Sequence, residues 1–216
     1  WGAALTATAL AGASYFLRGR SRGLLEDPSV IPIVTPMIDL FTAEHVLARL
    51  GRVPGDDVTL VLHTAGGCAA SCVMIADAAK QFPRSRAIVP YMALSGGTLI
   101  ALSAQELSMS RLAALSAVDP VIFGQRARHI VEGDESGLHA SAQEYDQAIR
   151  RQLDGLFRAR VPSAGLERAM AVFMGFDAPH EWPIYTPQLV DLGFQVKPAD
   201  PRWAEYVDAR RDAWSR

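Results

Sequence analysis

Ser95 closes a short apolar run, Val89-Pro90-Tyr91-Met92-Ala93-Leu94, and is followed at once by Gly96, Gly97 and Thr98. A hydroxyl presented on such a turn is placed to act as a nucleophile. It then needs a base to take its proton and backbone N–H groups to hold the developing oxyanion. Glycine suits the second need, because without a Cβ the backbone can approach a reacting carbonyl closely. A second pair, Gly66-Gly67, ends another apolar stretch, Val58-Thr59-Leu60-Val61-Leu62-His63-Thr64-Ala65. Two such turns can face each other across one site. The competing reading of Ser95 is a small residue that lets a helix pack tightly on a strand.

The elements that must position these turns alternate between strand-like and helix-like segments. Residues 30–34 read as a strand whose Pro32 favours an edge or entry position. Thr42 is the expected cap of a helix running through Val46 and Leu50. Residues 58–62 form a continuous apolar run, as in a strand buried on both faces. Residues 68–82 have helical spacing, residues 87–91 form the next short strand, and a helix follows from about Gly96 to Gln105. This β-α-β-α order predicts an α/β fold with a mostly parallel sheet. In the second half, Ser141 and Glu144 suggest a capping box for a helix of roughly 18 residues through Tyr145, Ile149, Leu153 and Leu156. Residues 163–174 form a further helix candidate. Thr186-Pro187 and Asp200-Pro201 read as helix starts. Trp203, Tyr206, Val207, Arg210 and Trp214 form an aromatic stripe that must dock on the domain or on another subunit. Residues 124–141 read as a polar, mobile segment.

The chain of 216 residues is long enough for one domain with a real core plus an appendage. A net charge of −2 with scattered arginines excludes a nucleic-acid-binding stripe. Lys80 and Lys197 are the only lysines. Cys68 and Cys72, four residues apart on one helix, are expected on one face as reduced core or near-site residues rather than a disulfide. No metal-ligand constellation is visible, and no cofactor is called for. Residues 1–17 carry no charge and precede Arg18, Arg20 and Arg22. Seventeen helical residues reach about 26 Å against a hydrocarbon core of about 30 Å, so residues 1–22 read as a membrane anchor, or part of one, with a basic flank. The arginines then place the domain, residues 23–216, on the cytoplasmic side.

Three motifs in order, His63-Thr64-Ala65-Gly66-Gly67, Ala93-Leu94-Ser95-Gly96-Gly97-Thr98-Leu99-Ile100-Ala101-Leu102 and Leu115-Ser116-Ala117-Val118-Asp119-Pro120, resemble the serine dehydrogenase proteinase family. That family groups with the Clp protease and signal peptide peptidase A proteins in the ClpP/crotonase fold. Pro179-His180-Glu181-Trp182-Pro183-Ile184 is similar to its His-Asp-Tyr-Pro-Ile element, and the likeness runs from about Arg22 to Lys197. The resemblance implies repeated β-β-α units and a peptidase-like site. It implies Ser95 as nucleophile, oxyanion donors around Gly66, Gly67, Gly96 and Gly97, peptide or protein substrates, and a homo-oligomer. A neighbouring subunit or a partner protein could complete the site.

The base is not marked by one motif. Residues 131–141 hold no lysine of the kind the signal-peptide-peptidase branch uses. In the Clp branch a histidine follows the serine by about 25 residues, and Asp119 stands near that point here; a carboxylate serves as base only if its pKa is raised. His180 ranks first, because an imidazole titrates near neutral pH. His63, beside the oxyanion glycines, comes next, and His129 and His139 follow. This chain also departs from the family pattern. Ala65 replaces a proline, and Ser116-Ala117 replaces Gly-Pro, which alters turn rigidity. Three readings therefore stand: a membrane-associated serine peptidase, a noncatalytic peptide-binding or scaffold member of the fold, and a crotonase or hydrolase acting on acyl esters or thioesters. Cys68 as a thiol nucleophile lacks an obvious cationic neighbour to activate it.

Overall fold

The computed structural model describes residues 27–133, 137–175 and 178–211. The expected anchor, residues 1–22, lies outside them, as does Trp214. Among the described residues no helix is long and apolar enough to cross a membrane. The chain runs β1 (Val30–Val34), α1 (Leu40–Leu50), β2 (Asp57–His63), α2 (Ala69–Lys80), β3 (Arg84–Val89), β4 (Met92–Ala93), α3 (Gly96–Ser103), β5 (Glu106–Met109) and β6 (Ala114–Leu115). It continues through β7 (Val121–Ile122), β8 (Gln125–Arg126), α4 (Ala127–Gly133), α5 (His139–Arg158), α6 (Leu166–Phe173), β9 (Ile184–Tyr185), α7 (Thr186–Asp191), β10 (Val196–Pro198) and α8 (Arg202–Arg211).

The main sheet has the order β1-β2-β3-β5-β10 and is parallel at every junction. Pro32 sits on β1, an edge strand, where its missing N–H is tolerated. A smaller sheet, β4-β6-β9, branches from it. Single bridges at Ile38–Gly67 and Thr64–Ala93 extend the same second layer backward along the chain. Each main strand up to β3 therefore leads to a short second pairing and then a helix, the β-β-α repeat expected from the resemblance.

The continuous apolar strands follow from burial on both faces. On one face Ile31, Ile33, Leu60, Leu62, Ala87 and Val89 join the core beneath the helices, with Ile75, Leu99 and Leu153. On the other, Val30, Val34, Val61 and Ile88 are covered by Trp203, Tyr206 and Val207 of α8. The aromatic stripe thus docks on its own domain. Burying side chains of this size stabilises the fold by about 1.5–3 kcal/mol each.

Helix starts are corrected in detail. Asp39, not Thr42, caps α1: its carboxylate accepts from the Thr42 N–H at 2.7 Å. Helix α5 begins at His139, so Ser141 lies inside it and the capping box is not formed. Tyr185 precedes α7 as its N-cap, with Pro187 in the first turn. The described part of residues 124–141 is mainly helical, in α4 and the start of α5, rather than loop.

Candidate active site

Ser95 sits at the N-cap of α3 with φ 51° and ψ −120°, a conformation that a residue with a Cβ rarely adopts. Such strain costs on the order of 1–3 kcal/mol and persists only when the surroundings over-determine it. Here they do. The Leu94 N–H donates to Thr64 O at 3.0 Å, the Gly97 N–H to Leu94 O at 2.8 Å, and the Thr98 N–H to Ser95 O at 2.9 Å. The Ser95 N–H donates to Ser116 Oγ at 2.8 Å. Ser116 is itself anchored: its N–H donates to Thr98 Oγ1 at 3.0 Å and its hydroxyl to Ala117 O at 3.0 Å. The resulting strand–turn–helix projects the hydroxyl at the top of the sheet, as a nucleophile elbow does.

Ser116 stands where the family pattern has glycine, so this chain supplies a side-chain acceptor that glycine cannot. Losing one such bond removes about 0.5–1.5 kcal/mol from the turn that holds the strained serine. Ser116→Gly is expected to lower kcat several-fold with KM little changed, while Ser116→Thr retains most activity. Steady-state kinetics of both variants checks this, and an unchanged kcat in Ser116→Gly would dismiss the role.

The two glycine turns do face each other. Gly66 has φ 102°, and a Cβ there would stand 2.7 Å from Ser95 Cβ and 2.8 Å from Leu94 O. A Cβ on Gly67 would run into the Ile38 backbone, with Ile38 N 2.6 Å away. Only glycine fits either place. Gly67 and Gly96 are close neighbours, since a Cβ built on Gly96 would be 3.8 Å from Gly67 N. Neither N–H donates to a described backbone acceptor. Gly97 packs differently, against the Thr64 side chain in the interior.

These turns wall a pocket of about 290 Å³ at the carboxyl ends of the strands, where open parallel sheets bind ligands. Ser95, Gly67 and Gly96 form its polar floor, and Leu99, Val118 and Ile149 are among its apolar walls. Asp119 lines the same pocket and is 3% exposed. Its Oδ1 lies 2.8 Å from His180 Nδ1, and its Oδ2 accepts from Arg126 Nε at 2.5 Å. Burial pushes the Asp119 carboxyl up, but the hydrogen bonds from His180 and Arg126 outweigh it and hold the group below its ordinary range. Asp119 is thus an ionised acceptor, not the raised-pKa carboxylate that a base would require. Asp119 engages the Nδ1 side of the His180 ring, and His180 itself is not among the residues lining the pocket. Among the described residues, Ser95 Oγ makes no hydrogen bond of its own.

Arg126 is the residue that sequence reasoning missed. The hairpin of β7 and β8 carries it, turning through Phe123 at φ 48° and Gly124 at φ 80°, the left-handed pair a tight two-residue hairpin requires. Besides Asp119, its guanidinium donates to Ala178 O at 2.9 Å and to Gly175 O. One cation therefore ties Asp119 to the segment leading into His180. The spacing of arginine seven residues after Asp119 held no signal for this, since the hairpin brings them together.

His63 is placed away from the pocket. Its ring packs edge-on against Tyr91 at 5.6 Å, and burial, with a smaller contribution from Arg211, lowers its pKa. His129 lies on α4, and His139 opens α5. Cys68 and Cys72 both line the pocket but differ in exposure. The Ser71 amide and hydroxyl draw the exposed Cys68 thiol down, whereas burial pushes Cys72 up to about 12. Iodoacetamide at neutral pH is expected to alkylate Cys68 at least about tenfold faster than Cys72, which reacts only on unfolding; peptide mass spectrometry over time measures the ratio, and equal rates would contradict the burial. Among the described residues no group of three or more His, Cys, Asp or Glu is arranged to hold a metal ion.

Residues 24–147 match the family model for ClpP-like SDH-type serine proteinases. The chain belongs to this family. Two uncharacterized proteins of Methanocaldococcus jannaschii are related to this family member. One is 29% identical over 186 residues, covering 80% of this chain and 63% of its own length. The other is 38% identical over 104 residues, covering 47% of this chain and 36% of its own length. The chain thus spans less than two thirds of either relative. Among solved structures, ClpP1 from Listeria monocytogenes superposes with a TM-score of 0.56 at 16% identity, covering 82% of this chain and 95% of that one. A point mutant of the same Listeria protein gives 0.59 at 16% identity, covering 83% and 96%. The likeness shows a ClpP-like α/β fold, and the proteinase motifs fall on its strand-end turns.

Proposed function

We propose that this family member is an active serine peptidase that cleaves peptide bonds by acyl transfer, with a Ser95–His180–Asp119 triad contained in one chain. Ser95 Oγ attacks the scissile carbonyl while His180 Nε2 takes the hydroxyl proton, and the Gly67 and Gly96 N–H groups hold the oxyanion. The protonated imidazole then delivers its proton to the leaving amine. Water, deprotonated by the same imidazole, releases the acyl group and regenerates Ser95. Asp119 holds the ring in the required tautomer and stabilises the imidazolium, as the third member of a triad does.

The observation that carries this reading is the part-buried Asp119–His180 contact of 2.8 Å, because Asp119 lines the same pocket as the strained serine. A noncatalytic scaffold has no use for a strained serine beside two undonated glycine amides. No hydrogen bond joins Ser95 Oγ to His180 among the described residues, so the proposal requires that contact to form when substrate binds, as catalytic hydrogen bonds often tighten then. The uncharged residues 1–17 followed by three arginines support tethering to a membrane with the domain on its cytoplasmic side, and hence substrates near the membrane. Assembly into a homo-oligomer is part of the proposal and rests on the family resemblance.

The test is labelling with a fluorophosphonate between pH 5 and 9, with the adduct located by peptide mass spectrometry. One adduct on Ser95, formed faster as pH rises through the range in which an imidazole loses its proton, is expected. An adduct elsewhere, or none at any pH, would sink the reading.

A further inference from the structure

A second and larger cleft, of about 500 Å³, opens at the amino ends of β5 and β10, the end of the sheet away from Ser95. Three cations line it, Lys80, Arg151 and Arg160, and no carboxylate is among the described lining residues, although Asp77 pairs with Lys80. Carboxamides of Gln105, Gln152 and Gln195 fill in between them.

Basic side chains here could simply answer the helix ends, because α2 and α5 both finish at this cleft and helix C-termini favour cations. The hydrogen bonds argue otherwise. Lys80 Nζ donates to Asp77 Oδ1 at 2.8 Å and to Gln152 Oε1 at 3.0 Å, not to terminal carbonyls. The partly buried Arg160 guanidinium makes no hydrogen bond or ion pair with a described residue, and burial alone lowers its pKa. Its N–H donors on a rigid fork therefore line a polar cleft where solvent, and no described protein acceptor, receives them. A guanidinium partly stripped of water and left without a counter-charge is unfavourable, and paired oxygens of a phosphoryl or carboxylate group match its geometry. Lys80, steered by Gln152, and the exposed Arg151 add charge on either side. A cleft of this volume falls in the range of small-molecule sites.

We propose that this cleft binds a compact polyanion, a small molecule presenting phosphoryl or carboxylate oxygens, with Arg160 as its principal contact and Arg151 and Lys80 flanking it. The assignment does not depend on peptidase activity, and the cleft shares no residue with the Ser95 pocket.

Calorimetric titration of the whole chain with pyrophosphate and, separately, citrate at fixed ionic strength tests it. At least one should bind saturably with one site per chain, and which binds more tightly distinguishes phosphoryl from carboxylate recognition. Arg160→Gln is expected to weaken binding about tenfold or more, as loss of a charge-assisted bidentate contact should. Ser95→Ala should leave it unchanged. The exposed Arg151→Gln, which carries little folding risk, should weaken binding several-fold and decides the matter if Arg160→Gln does not fold. No saturation with either anion, or affinity indifferent to both arginine substitutions, would overturn the proposal.

Discussion

Ser95→Ala is expected to reduce peptide hydrolysis by about 10⁴–10⁶-fold and to abolish fluorophosphonate labelling, while leaving the fold intact. Removing the nucleophile of a triad typically costs that much, and the rate left over comes from the oxyanion donors and substrate binding. The substitution is structurally mild. Ser95 Oγ contributes no hydrogen bond among the described residues, and the bonds that hold the strained turn run through the Ser95 N–H and C=O to Ser116 and Thr98. Alanine keeps both. Its Cβ occupies the place of the serine Cβ, so the φ 51° strain is carried over rather than added. Circular dichroism and thermal melting should therefore match the parent chain. Hydrolysis within about tenfold of the parent would show that Ser95 is not the nucleophile.

His180→Ala is expected to lower kcat by about 10³–10⁴-fold, the scale of lost general acid–base catalysis. The residual rate should lose the imidazole limb of its pH profile. This variant keeps the Asp119–Arg126 ion pair, so a fall in kcat with a normal melting temperature separates catalysis from folding. Asp119→Asn makes the harsher companion. It can reverse the ring's preferred tautomer, and it leaves Arg126, with its side chain 14% exposed, without its carboxylate. Breaking a fully buried pair costs about 3–5 kcal/mol, and the loss at the part-buried Arg126, which keeps the Ala178 and Gly175 carbonyls, should cost less.

The pH dependence of stability has a definite sign here. Asp119 titrates lower in the folded chain than in the unfolded one, so its stabilisation is fully present above the ordinary carboxylate range of about 4. It is lost as the pH falls from there through the depressed native value. Acid unfolding followed by circular dichroism should therefore be steeper in the parent than in Asp119→Asn. Equal slopes would mean that His180 and Arg126 do not hold the carboxylate ionised. Activity of His180→Ala comparable to the parent would remove His180 as the base, whatever its contact with Asp119.

Much of the fold was legible because its signals are local. The uninterrupted apolar runs of β2 and β3 announce strands covered on both faces, and residues 69–80 show their helical spacing within a dozen positions. Helix starts were less legible. Asp39 and Thr42 are both good capping residues three positions apart, and the choice fell to the one whose carboxylate could reach an open N–H. Residues 124–141 looked like loop because polar residues dominate them. Burial of Ala127, Ile130 and Ala142 against one another stabilises helices there that propensity alone did not suggest.

What the sequence by itself determined is the serine displayed at a strand end, the two glycine pairs beside it and the family to which the chain belongs. The serine and the glycine pairs depend on residue types within about ten positions, where backbone sterics and apolar periodicity act directly, and the family on the order of three such short motifs. Only the tertiary structure decided which charged groups meet. Asp119 and His180 lie 61 positions apart, yet their side chains come within 2.8 Å. Arg126 reaches Asp119 by way of a hairpin, and His63, adjacent in sequence to the oxyanion turn, is carried away toward Tyr91. A buried charge takes the partner that the packed chain brings to it. That partner follows from long-range packing, which no local pattern encodes.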